Sequence, residues 1–394
     1  MAGLGRRLQE HGFEVTVAAN PAYAQLVVSS GCGYSPLPGD LTRIITRTAP
    51  GTKPAMGDLA TTWRALGEYM DRAATGTLAA AEAGADVILA NSVAPYAYDV
   101  AEALGIPAIG AHLQPVEPSA DYPPVLMGSA RDLGKLGNRI VGERALAGPA
   151  PYDAPGARLR RELGLPKLSR RAADRRRRRR NATVLHGISP TVLPRPADWH
   201  PGLVMAGYWW PPSRPEWRPD AELVDFLAAG PAPVFVGFGS GAALDVELVL
   251  QAARRAGVRV VMQGGSVRED DALGVGDVPH EWLFPRMAAV VHHAGSGTTA
   301  AGLRAGVPTV CVPVFTDQPL WASRIAALGA GPRPVPFREL TAERLGDAIA
   351  KAARSPSYAS RARLLAGRIA VEDGTGPVLQ ALTQLSSSRA RLQG

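Results

Sequence analysis

The stretch that decides the fold is His292-His293-Ala294-Gly295-Ser296-Gly297-Thr298-Thr299. An apolar run at residues 288–291 leads into it, and a small-residue helical pattern at 299–305 leads out of it. This order predicts a strand, a tight loop and a helix. Small residues let the loop backbone approach a ligand, and the free N–H groups and positive dipole end of a helix start favour an anion. We therefore expect a phosphate-binding loop here.

A carboxylate and an amide follow this loop after a second apolar run. The run ends at Pro313 and leads to Asp317 and Gln318. A carboxylate accepts hydrogen bonds from two hydroxyls, and an amide both donates and accepts, so the pair suits a hexose. The alternative interpretation is an ordinary turn before a helix, with Asp317 as its N-cap. A phosphate site followed by a hydroxyl site indicates a nucleotide sugar as the ligand.

The ordered motifs His-His-x-Gly-x-Gly-Thr-Thr, Gly306-Val307-Pro308 and Asp317-Gln318 resemble the donor-binding motif of family-1 glycosyltransferases. Segments at 279–285, at Phe238-Gly239-Ser240 and at Leu113-Gln114-Pro115 follow in family order, so the resemblance covers nearly the whole chain. It is strongest to bacterial sterol-type and antibiotic-type members. The resemblance implies a GT-B fold of class α/β, in which two Rossmann-like domains face each other across a cleft. It also implies sugar transfer from a UDP-sugar or dTDP-sugar to an acceptor.

Length and composition fit a globular protein with two domains. The 394 residues can form two cores, and 46% hydrophobic with 20% charged residues is ordinary for such proteins. The sequence has no apolar stretch of the roughly 20 residues that span a bilayer, and its start is too polar for a signal peptide. Cys32 and Cys311 are the only cysteines, one in each predicted domain. We therefore expect no disulfide framework and a cytoplasmic location.

The net charge of +8 comes partly from Arg170, Arg171 and the arginine run 175–180. Such a run can bind nucleic acid or an acidic membrane surface. Aromatic residues do not alternate with the arginines, which argues against nucleic acid. We expect a solvated interdomain loop, with peripheral membrane contact as the alternative.

Apolar runs alternate with helical patterns, which predicts parallel sheets covered by helices. The predicted helix spans about 94–104, and the predicted strands are 14–18, 87–90, 108–111, 234–237, 259–262, 289–292 and 309–312. The predicted domains are an acceptor-binding domain at 1–198, a donor-binding domain at 199–375 and a helical tail at 376–394. The boundary lies between the arginine run and the proline-rich stretch 211–215, which cannot be helix interior or central strand.

The chain opens in a helix, whereas a Rossmann-like half normally opens with a strand. Leu4, Leu8 and His11-Gly12 resemble the last turns of that helix, and residues 14–18 resemble the second strand. We therefore expect the N-terminal domain to lack its first, central strand. In family members the general base, an Asp or in plant enzymes a His, lies just before this helix. The resemblance therefore places the base upstream of Met1, or implies an inactive product.

The resemblance also assigns the phosphate-contacting residues. His293 aligns with the family's phosphate-contacting histidine, and a core histidine at a strand end is the alternative. Adjacent strand residues point to opposite sides, so His292 is expected to face the core. Hydrogen-bond donors around the diphosphate would come from Gly295, Ser296, Gly297 and Thr298.

Other donor-site candidates lie on two further segments. Ser240 sits in a small-residue loop at the end of a strand, where ligands collect, although a tight turn without a ligand is the alternative. Val278 and His280 occupy the segment that in family members borders the uracil or thymine ring. Trp282 lies just beyond this segment, and core packing is at least as good an interpretation as stacking on a ligand.

The acceptor half differs from plant relatives at one position. There a carboxylate after the fourth strand orients a catalytic His, whereas this chain has Asn91, and an amide cannot hold a protonated imidazole in that way. Asn91 and His112 are expected to line the acceptor cleft, with His112 as the fallback general base. Loops at 42–63 and 116–128 would shape the pocket. No Cys/His metal spacing appears, so we expect no metal and no cofactor beyond the sugar donor.

The sequence thus predicts an inverting transferase that moves a hexose from a UDP- or dTDP-sugar to a hydroxyl of a lipophilic small molecule, sterol-like or a natural product. Two alternatives stay open. A nucleotide-sugar epimerase on the same scaffold would change the sugar without an acceptor. An inactive remnant would bind the nucleotide sugar and transfer nothing.

Overall fold

The computed structural model describes residues 1–39, 56–211, 216–238 and 245–393. Helices and strands alternate over much of these ranges. The N-terminal half contains α1 (Ala2–Gln9), β1 (Thr16–Ala19), α2 (Ala24–Ser29), β2 (Gly33–Pro36), α3 (Met56–Glu82), β3 (Ile88–Ala90), α4 (Ala97–Leu104), β4 (Ala108–His112), α5 (Gly134–Ala147), α6 (Asp153–Glu162), α7 (Arg170–Arg179), β5 (Val184–His186) and β6 (Leu203–Met205).

The C-terminal half continues the same alternation, and its last helix returns to the N-terminal half. Its elements are α8 (Ala221–Ala228), β7 (Val234–Gly237), α9 (Val246–Ala256), β8 (Val260–Gln263), β9 (Arg268–Glu269), β10 (Ala272–Val275), α10 (His280–Leu283), β11 (Ala289–His292), α11 (Ser296–Ala305), β12 (Thr309–Cys311), α12 (Gln318–Ala327), α13 (Ala342–Arg354), α14 (Pro356–Ala370) and α15 (Gly376–Gln393).

The C-terminal sheet positions the phosphate loop. Its strand order is β12-β11-β7-β8-β10-β9, and only β9 runs antiparallel to its neighbour. From β7 the chain goes to β8 on one side, and from β11 it goes to β12 on the other side. The strand order therefore reverses between β7 and β11, and ligands of open α/β sheets bind at such a point. The loop after β11 begins there.

The N-terminal half contains two separate sheets. Strands β3, β4, β5 and β6 form a four-stranded parallel sheet, and β1 pairs with β2 alone. Leu4 of α1 packs with Ile109 and Leu185 of the larger sheet. No strand within the described ranges joins β1 to β3. The expected lack of a first strand stays a prediction.

The helix α15 closes the larger N-terminal sheet from the same side as α1. Its residues Val378 and Leu382 are buried in one cluster with Leu4, Ile109 and Leu185. The segment predicted as a helical tail is therefore part of the core of the N-terminal half. The strand β6 also belongs to this half, so the N-terminal sheet extends beyond the predicted boundary at 198/199.

The arginine run is a helix, so the predicted loop is wrong, but none of the helix residues is buried, in agreement with the predicted exposure to solvent. It forms α7, which precedes β5 within the N-terminal half. The Ser169 side chain caps its first turn, Asp174 pairs with arginines one turn away, and arginine itself favours helix. Two arginines also serve the fold, because Arg170 donates to the Leu146 carbonyl oxygen at 2.6 Å and Arg177 lies over the Tyr98 ring.

Most predicted strands are found near their predicted places. The bounds of β7 and β11 are those predicted, and the other predicted strands and the helix α4 shift by one to three residues. The loop at 42–63 lies largely outside the described residues, as do Ser240 and residues 212–215 of the proline-rich stretch. No helix among the described residues is long and apolar enough to cross a membrane.

Candidate active site

The loop between β11 and α11 has the backbone geometry of an anion site. Gly295 is the N-cap of α11, and the first turn of this helix contains no acidic residue. Its first N–H groups have no acceptor within the helix, so they can bind an anion. A Cβ at Gly295 would lie 2.4 Å from Nε2 of His293, which explains why the position has no side chain. Ala294 stands in the left-handed region with φ 63°.

His292 faces the core, as the alternation of strand side chains predicts. Its side chain is fully buried, and its Nδ1 accepts a hydrogen bond from the backbone N–H of Ala294 at 2.9 Å. Burial, followed by the neighbouring His293 and His280, lowers the pKa of His292 to about 3. A neutral His292 therefore fixes the turn that follows β11, and it does not face the anion site.

His293 lies at the head of the loop and is half-buried. Its ring contacts the Phe238 ring, with 6.2 Å between centroids. Burial lowers the pKa of His293, and the nearby Asp317 carboxylate opposes part of that shift. Nδ1 of His293 has no hydrogen-bond partner among the described residues. The other ring nitrogen, Nε2, is the one that lies beside Gly295, the N-cap of α11.

Asp317 and Gln318 stand at the start of α12, and their side chains are already engaged. Asp317 is at the N-cap position but caps no backbone N–H. One carboxylate oxygen accepts from Trp321 Nε1 at 2.7 Å and the other from the Thr316 hydroxyl at 3.1 Å. Gln318 Oε1 accepts from the N–H groups of Val314 and Phe315. Gln318 was expected both to donate to and to accept from a sugar. Because its oxygen already accepts from two backbone N–H groups, its amide NH₂ is the group that can serve a sugar, as a donor.

The segment predicted to border the base packs mainly into the fold. Val278 is buried with Leu283 in a cluster below the sheet. The His280 ring stacks on Phe284, with centroids 4.2 Å apart and planes 17° apart. Trp282 packs edge-on against Trp217, which favours the core-packing interpretation of that residue.

Two loops of the N-terminal half meet the donor motifs. The Ser296 hydroxyl donates to the carbonyl oxygen of Leu113 at 3.3 Å. A Cβ at Gly128 would lie 3.5 Å from the backbone nitrogen of Thr316. The end of β4 therefore adjoins the phosphate loop, and the loop at 116–128 adjoins the Asp317 turn. The two halves of the chain meet at these contacts.

His112 lies in a buried cluster that sequence reasoning did not find. Its Nδ1 is 2.8 Å from Oε1 of Glu117, and the other carboxylate oxygen is 2.6 Å from Nε2 of His186. Burial alone would raise the pKa of Glu117, but attraction to His186 and His112 outweighs burial and holds it well below its usual range. Glu117 is only five residues from His112, but nothing in the sequence connects it to His186.

Asn91 stabilises its own turn. Its Oδ1 accepts from the backbone N–H of Val93 at 3.2 Å. Asn91, His112 and Glu117 line one cavity of about 90 Å³, together with residues of α4 and α7. The carboxylate beside His112 comes from Glu117 in the following loop.

An exposed apolar patch lies beside the loop at 116–128. It comprises Leu126 and Met127 of a short 3-10 helix together with Leu133 and Leu136 near the start of α5. Leu136 is 74% exposed and Met127 is 57% exposed. The short helix and α5 contact each other, and exposed apolar side chains on neighbouring elements are typical of binding surfaces for lipophilic ligands.

Comparison with known proteins connects this geometry to sugar transfer. Residues 237–385 match the family model described as erythromycin biosynthesis protein CIII-like, C-terminal domain. The chain is 36% identical to an O-mycaminosyltylonolide 6-deoxyallosyltransferase of Streptomyces fradiae, over 94% of this chain and 90% of that protein. It is 31% identical to a sterol 3-beta-glucosyltransferase of Arabidopsis thaliana, over 96% of this chain but only 62% of that longer protein.

Solved structures share the fold over nearly the full length. The glycosyltransferase VinC, solved in complex with dTDP, aligns with a TM-score of 0.68 at 21% identity, covering 98% of this chain and 96% of that one. The spinosyn rhamnosyltransferase SpnG, solved with the spinosyn aglycone, aligns with a TM-score of 0.63 at 19% identity, covering 97% and 95%.

Proposed function

The chain belongs to the family-1 glycosyltransferases, and we propose that it moves a hexose from a dTDP- or UDP-sugar to a hydroxyl of a lipophilic small molecule with inversion at C1. It is a nucleotide-sugar-dependent transferase with the GT-B fold. The relatives are transferases, which favours this function over an epimerase and over an inactive remnant. The observation that carries the proposal is the open start of α11 below His293.

The leaving diphosphate is proposed to bind at this helix start. Backbone N–H groups at Ser296, Gly297 and Thr298 and the His293 ring would donate hydrogen bonds to its oxygens. Such donors stabilise the charge that grows as the bond from C1 to the phosphate oxygen breaks. The helix dipole adds to this stabilisation. The transfer step proposed here therefore needs no metal ion.

The sugar is proposed to lie against the start of α12. Asp317 keeps free lone pairs on both oxygens after its bonds to Trp321 and Thr316, so it can accept from sugar hydroxyls. Gln318 contributes its NH₂ group as a donor, because its oxygen is occupied by the Val314 and Phe315 N–H groups. Both groups are fixed before the sugar arrives, which lowers the entropy cost of binding.

The nucleotide base is proposed to lie along residues 278–280. Val278 is buried, so it would offer its backbone to the base. His280 stacks on Phe284, and this contact supports its ring as one wall of the base pocket. The dTDP complex of VinC favours a dTDP-sugar over a UDP-sugar.

The acceptor is proposed to be apolar, of the macrolide or sterol type named for the relatives. The patch formed by Leu126, Met127, Leu133 and Leu136 supports this proposal, since it flanks the turn that carries Asp317. Contact of the same patch with a membrane surface is the alternative proposal.

Both cysteines are free and buried, in keeping with the proposed cytoplasmic location.

The acceptor hydroxyl needs a general base, which takes its proton while the oxygen attacks C1 and the diphosphate leaves. The family resemblance assigns this role to an Asp. His112 is the fallback within this chain, with Glu117 beside its Nδ1 and Asn91 on the same cavity. A carboxylate next to imidazole is the arrangement that orients a histidine base.

A nucleotide-release assay tests the proposal. The protein is incubated with dTDP-glucose or UDP-glucose, with and without a panel of macrolide aglycones and sterols. Release of nucleoside diphosphate that depends on an acceptor, together with a β-configured product from an α-linked donor, is expected. If the protein converts the donor to a different sugar in the absence of an acceptor, the proposed function is wrong and the protein is an epimerase.

A further inference from the structure

The cluster of His112, Glu117 and His186 has no assigned role in sugar transfer beyond the fallback role of His112. We infer that these three residues form a binding site for one divalent transition-metal ion of the Zn²⁺ class. One ligand atom from each residue lies within 4.8 Å of the other two. Two imidazole nitrogens and one carboxylate oxygen are a common donor set for Zn²⁺. The site is separate from the diphosphate loop and does not depend on the proposed function.

The contacts of His186 show that a proton or a metal ion must lie between its ring and Glu117. Its Nδ1 lies 3.2 Å from the carbonyl oxygen of Val204, which can only accept, so Nδ1 carries a proton. The lone pair of a neutral ring is then on Nε2, which lies 2.6 Å from a carboxylate oxygen of Glu117. Two lone pairs at this distance repel unless a proton or a metal ion lies between them. A carbonyl on the second nitrogen is also the usual orienting partner of a metal-bound histidine.

His112 decides between a proton and a metal ion. Its Nδ1 lies 2.8 Å from Glu117, but the ring is not aligned for a hydrogen bond, and this buried nitrogen has no hydrogen-bond partner among the described residues. A proton on His186 would leave the His112 nitrogen unsatisfied. One cation among the three groups would satisfy both nitrogens and the carboxylate together.

The cluster has room for such an ion. Bonds of 2.0–2.2 Å in tetrahedral geometry place ligand atoms about 3.4 Å apart. The two histidine–carboxylate contacts are shorter than this, and no pair of ligand atoms is more than 4.8 Å apart, so shifts of about 1 to 1.5 Å by side-chain rotation create the site. His112 and Glu117 also line the cavity of about 90 Å³, which provides an entry path and space for water as a fourth ligand.

The surroundings hold the three ligands in place. The Tyr122 hydroxyl donates to the backbone carbonyl oxygen of Glu117 at 2.8 Å, and the His186 ring stacks on Trp199. Two cavity arginines have acidic partners, since Arg170 pairs with Asp153 and Arg177 pairs with Asp174. A bound ion would tie the end of β4 and the end of β5 to the loop at 116–128, which is the proposed acceptor loop.

The metal role and the base role of His112 exclude each other. A cation on Nδ1 draws electron density from the ring, so the remaining nitrogen keeps its proton and cannot accept one from a hydroxyl. Stoichiometric metal binding would thus assign the base to another residue. Failure to bind metal would leave the proposed transfer reaction unaffected, because its test needs only donor and acceptor.

The test is Co²⁺ binding by the full, untagged chain after removal of metals with a chelator. We expect one equivalent of Co²⁺ per chain with the visible absorption of tetrahedral cobalt, displacement by Zn²⁺, and a higher thermal midpoint. Glu117→Gln keeps the side-chain shape but loses the carboxylate, so its Co²⁺ affinity should fall about 100-fold or more. His200→Ala is the matched control, since His200 lines the same cavity outside the cluster.

Three results would each overturn the inference. The first is a wild-type chain that binds well under one equivalent of Co²⁺ or shows only octahedral cobalt absorption. The second is a folded Glu117→Gln variant, checked by circular dichroism, that binds as tightly as wild type, and the third is a His200→Ala variant that loses as much affinity as Glu117→Gln is expected to lose. The wild-type titration decides by itself if Glu117→Gln does not fold.

Discussion

His292 holds Ala294 by a hydrogen bond of 2.9 Å from the Ala294 N–H to the His292 ring. This bond fixes a non-glycine residue in the left-handed region, and it turns the chain so that Gly295 can begin α11. The two adjacent histidines therefore divide their tasks. His292 builds the loop from inside, and His293 faces the side where the diphosphate is proposed to bind.

His293→Ala is expected to lower turnover with the preferred nucleotide sugar by about 100-fold or more, comparable to the loss of one preorganised donor. Its thermal midpoint should change little, because the ring is half-buried and its Nδ1 has no hydrogen-bond partner among the described residues. Steady-state kinetics and thermal unfolding measure both effects. The control His11→Ala changes an exposed histidine at the end of α1 and should keep full activity. Unchanged kinetics in folded His293→Ala would remove the phosphate assignment.

Gln318→Glu should separate sugar recognition from nucleotide recognition. The variant keeps an oxygen for the Val314 and Phe315 N–H groups but loses the amide donors. We expect kcat/KM for the intact donor to fall about tenfold or more, because a sugar hydroxyl loses its donor. The affinity for free dTDP should stay within about twofold, since the diphosphate is bound elsewhere. Calorimetry with the free nucleotide measures this, and a large loss of nucleotide affinity would contradict the proposed geometry.

The apolar patch allows a test of the acceptor class. Leu136→Asp places a charge on a side chain that is 74% exposed, so it should leave stability almost unchanged. We expect KM for a lipophilic acceptor to rise about tenfold, the effect of roughly 1.4 kcal/mol of lost contact, while KM for the donor is unchanged. Leu364→Asp is the matched control, because Leu364 is an exposed leucine of α14 outside the patch. Equal effects of both changes on acceptor KM would argue against the patch.

The C-terminal sheet and the donor motif were predictable from the sequence. Strands β7 and β11 are buried on both faces, so they read as continuous apolar runs with sharp ends. The strands β5 and β6 were missed, although β3 and β12 are equally short and were predicted. The arginine run was correctly expected to be exposed but was wrongly taken for a loop, because its helix depends on capping, on Asp174 and on packing against Tyr98.

The candidate site was also only partly predictable from the sequence. The proposed phosphate loop and the Asp317 turn were predictable, because each is formed by residues that are adjacent in sequence. The cluster of His112, Glu117 and His186 depends on β4 and β5 lying side by side, with His112 paired to His186 in register. Sequence spacing contains no such information. The engagement of the Gln318 oxygen by two backbone N–H groups was hidden for a different reason, since it depends on the exact path of the preceding turn.

His292 should make the fold less stable in mild acid. In the folded protein its pKa is lowered from its usual 6.5 to about 3, so it stays neutral where an unfolded chain would take up a proton. The unfolded state therefore binds more protons between these values, and stability is lost as pH falls from 6.5 towards 3. Denaturant unfolding from pH 7 to pH 4 should show a smaller pH dependence for His292→Gln, which keeps an acceptor for the Ala294 N–H. An identical pH dependence in both proteins would contradict a neutral His292.

The two-stranded N-terminal sheet and the C-terminal sheet predict uneven protection of backbone amides. Within the described ranges strand β1 pairs only with β2, and its side chains are exposed or half-buried. Strand β11 lies between β7 and β12 and is fully buried. Because local opening costs range from nearly zero to the full unfolding free energy, amides of β1 should exchange at least about 100-fold faster than those of β11. Hydrogen exchange with mass spectrometry on peptides covering 14–22 and 286–294 measures this ratio. The internal control is β12, which is also an edge strand of its sheet but is buried. If amides of β12 exchange slowly, an edge position alone does not explain fast exchange in β1, and the cause is its exposure and its single partner strand. Equal protection of β1 and β11 would contradict the prediction, because contacts beyond the pairing with β2 would then hold β1.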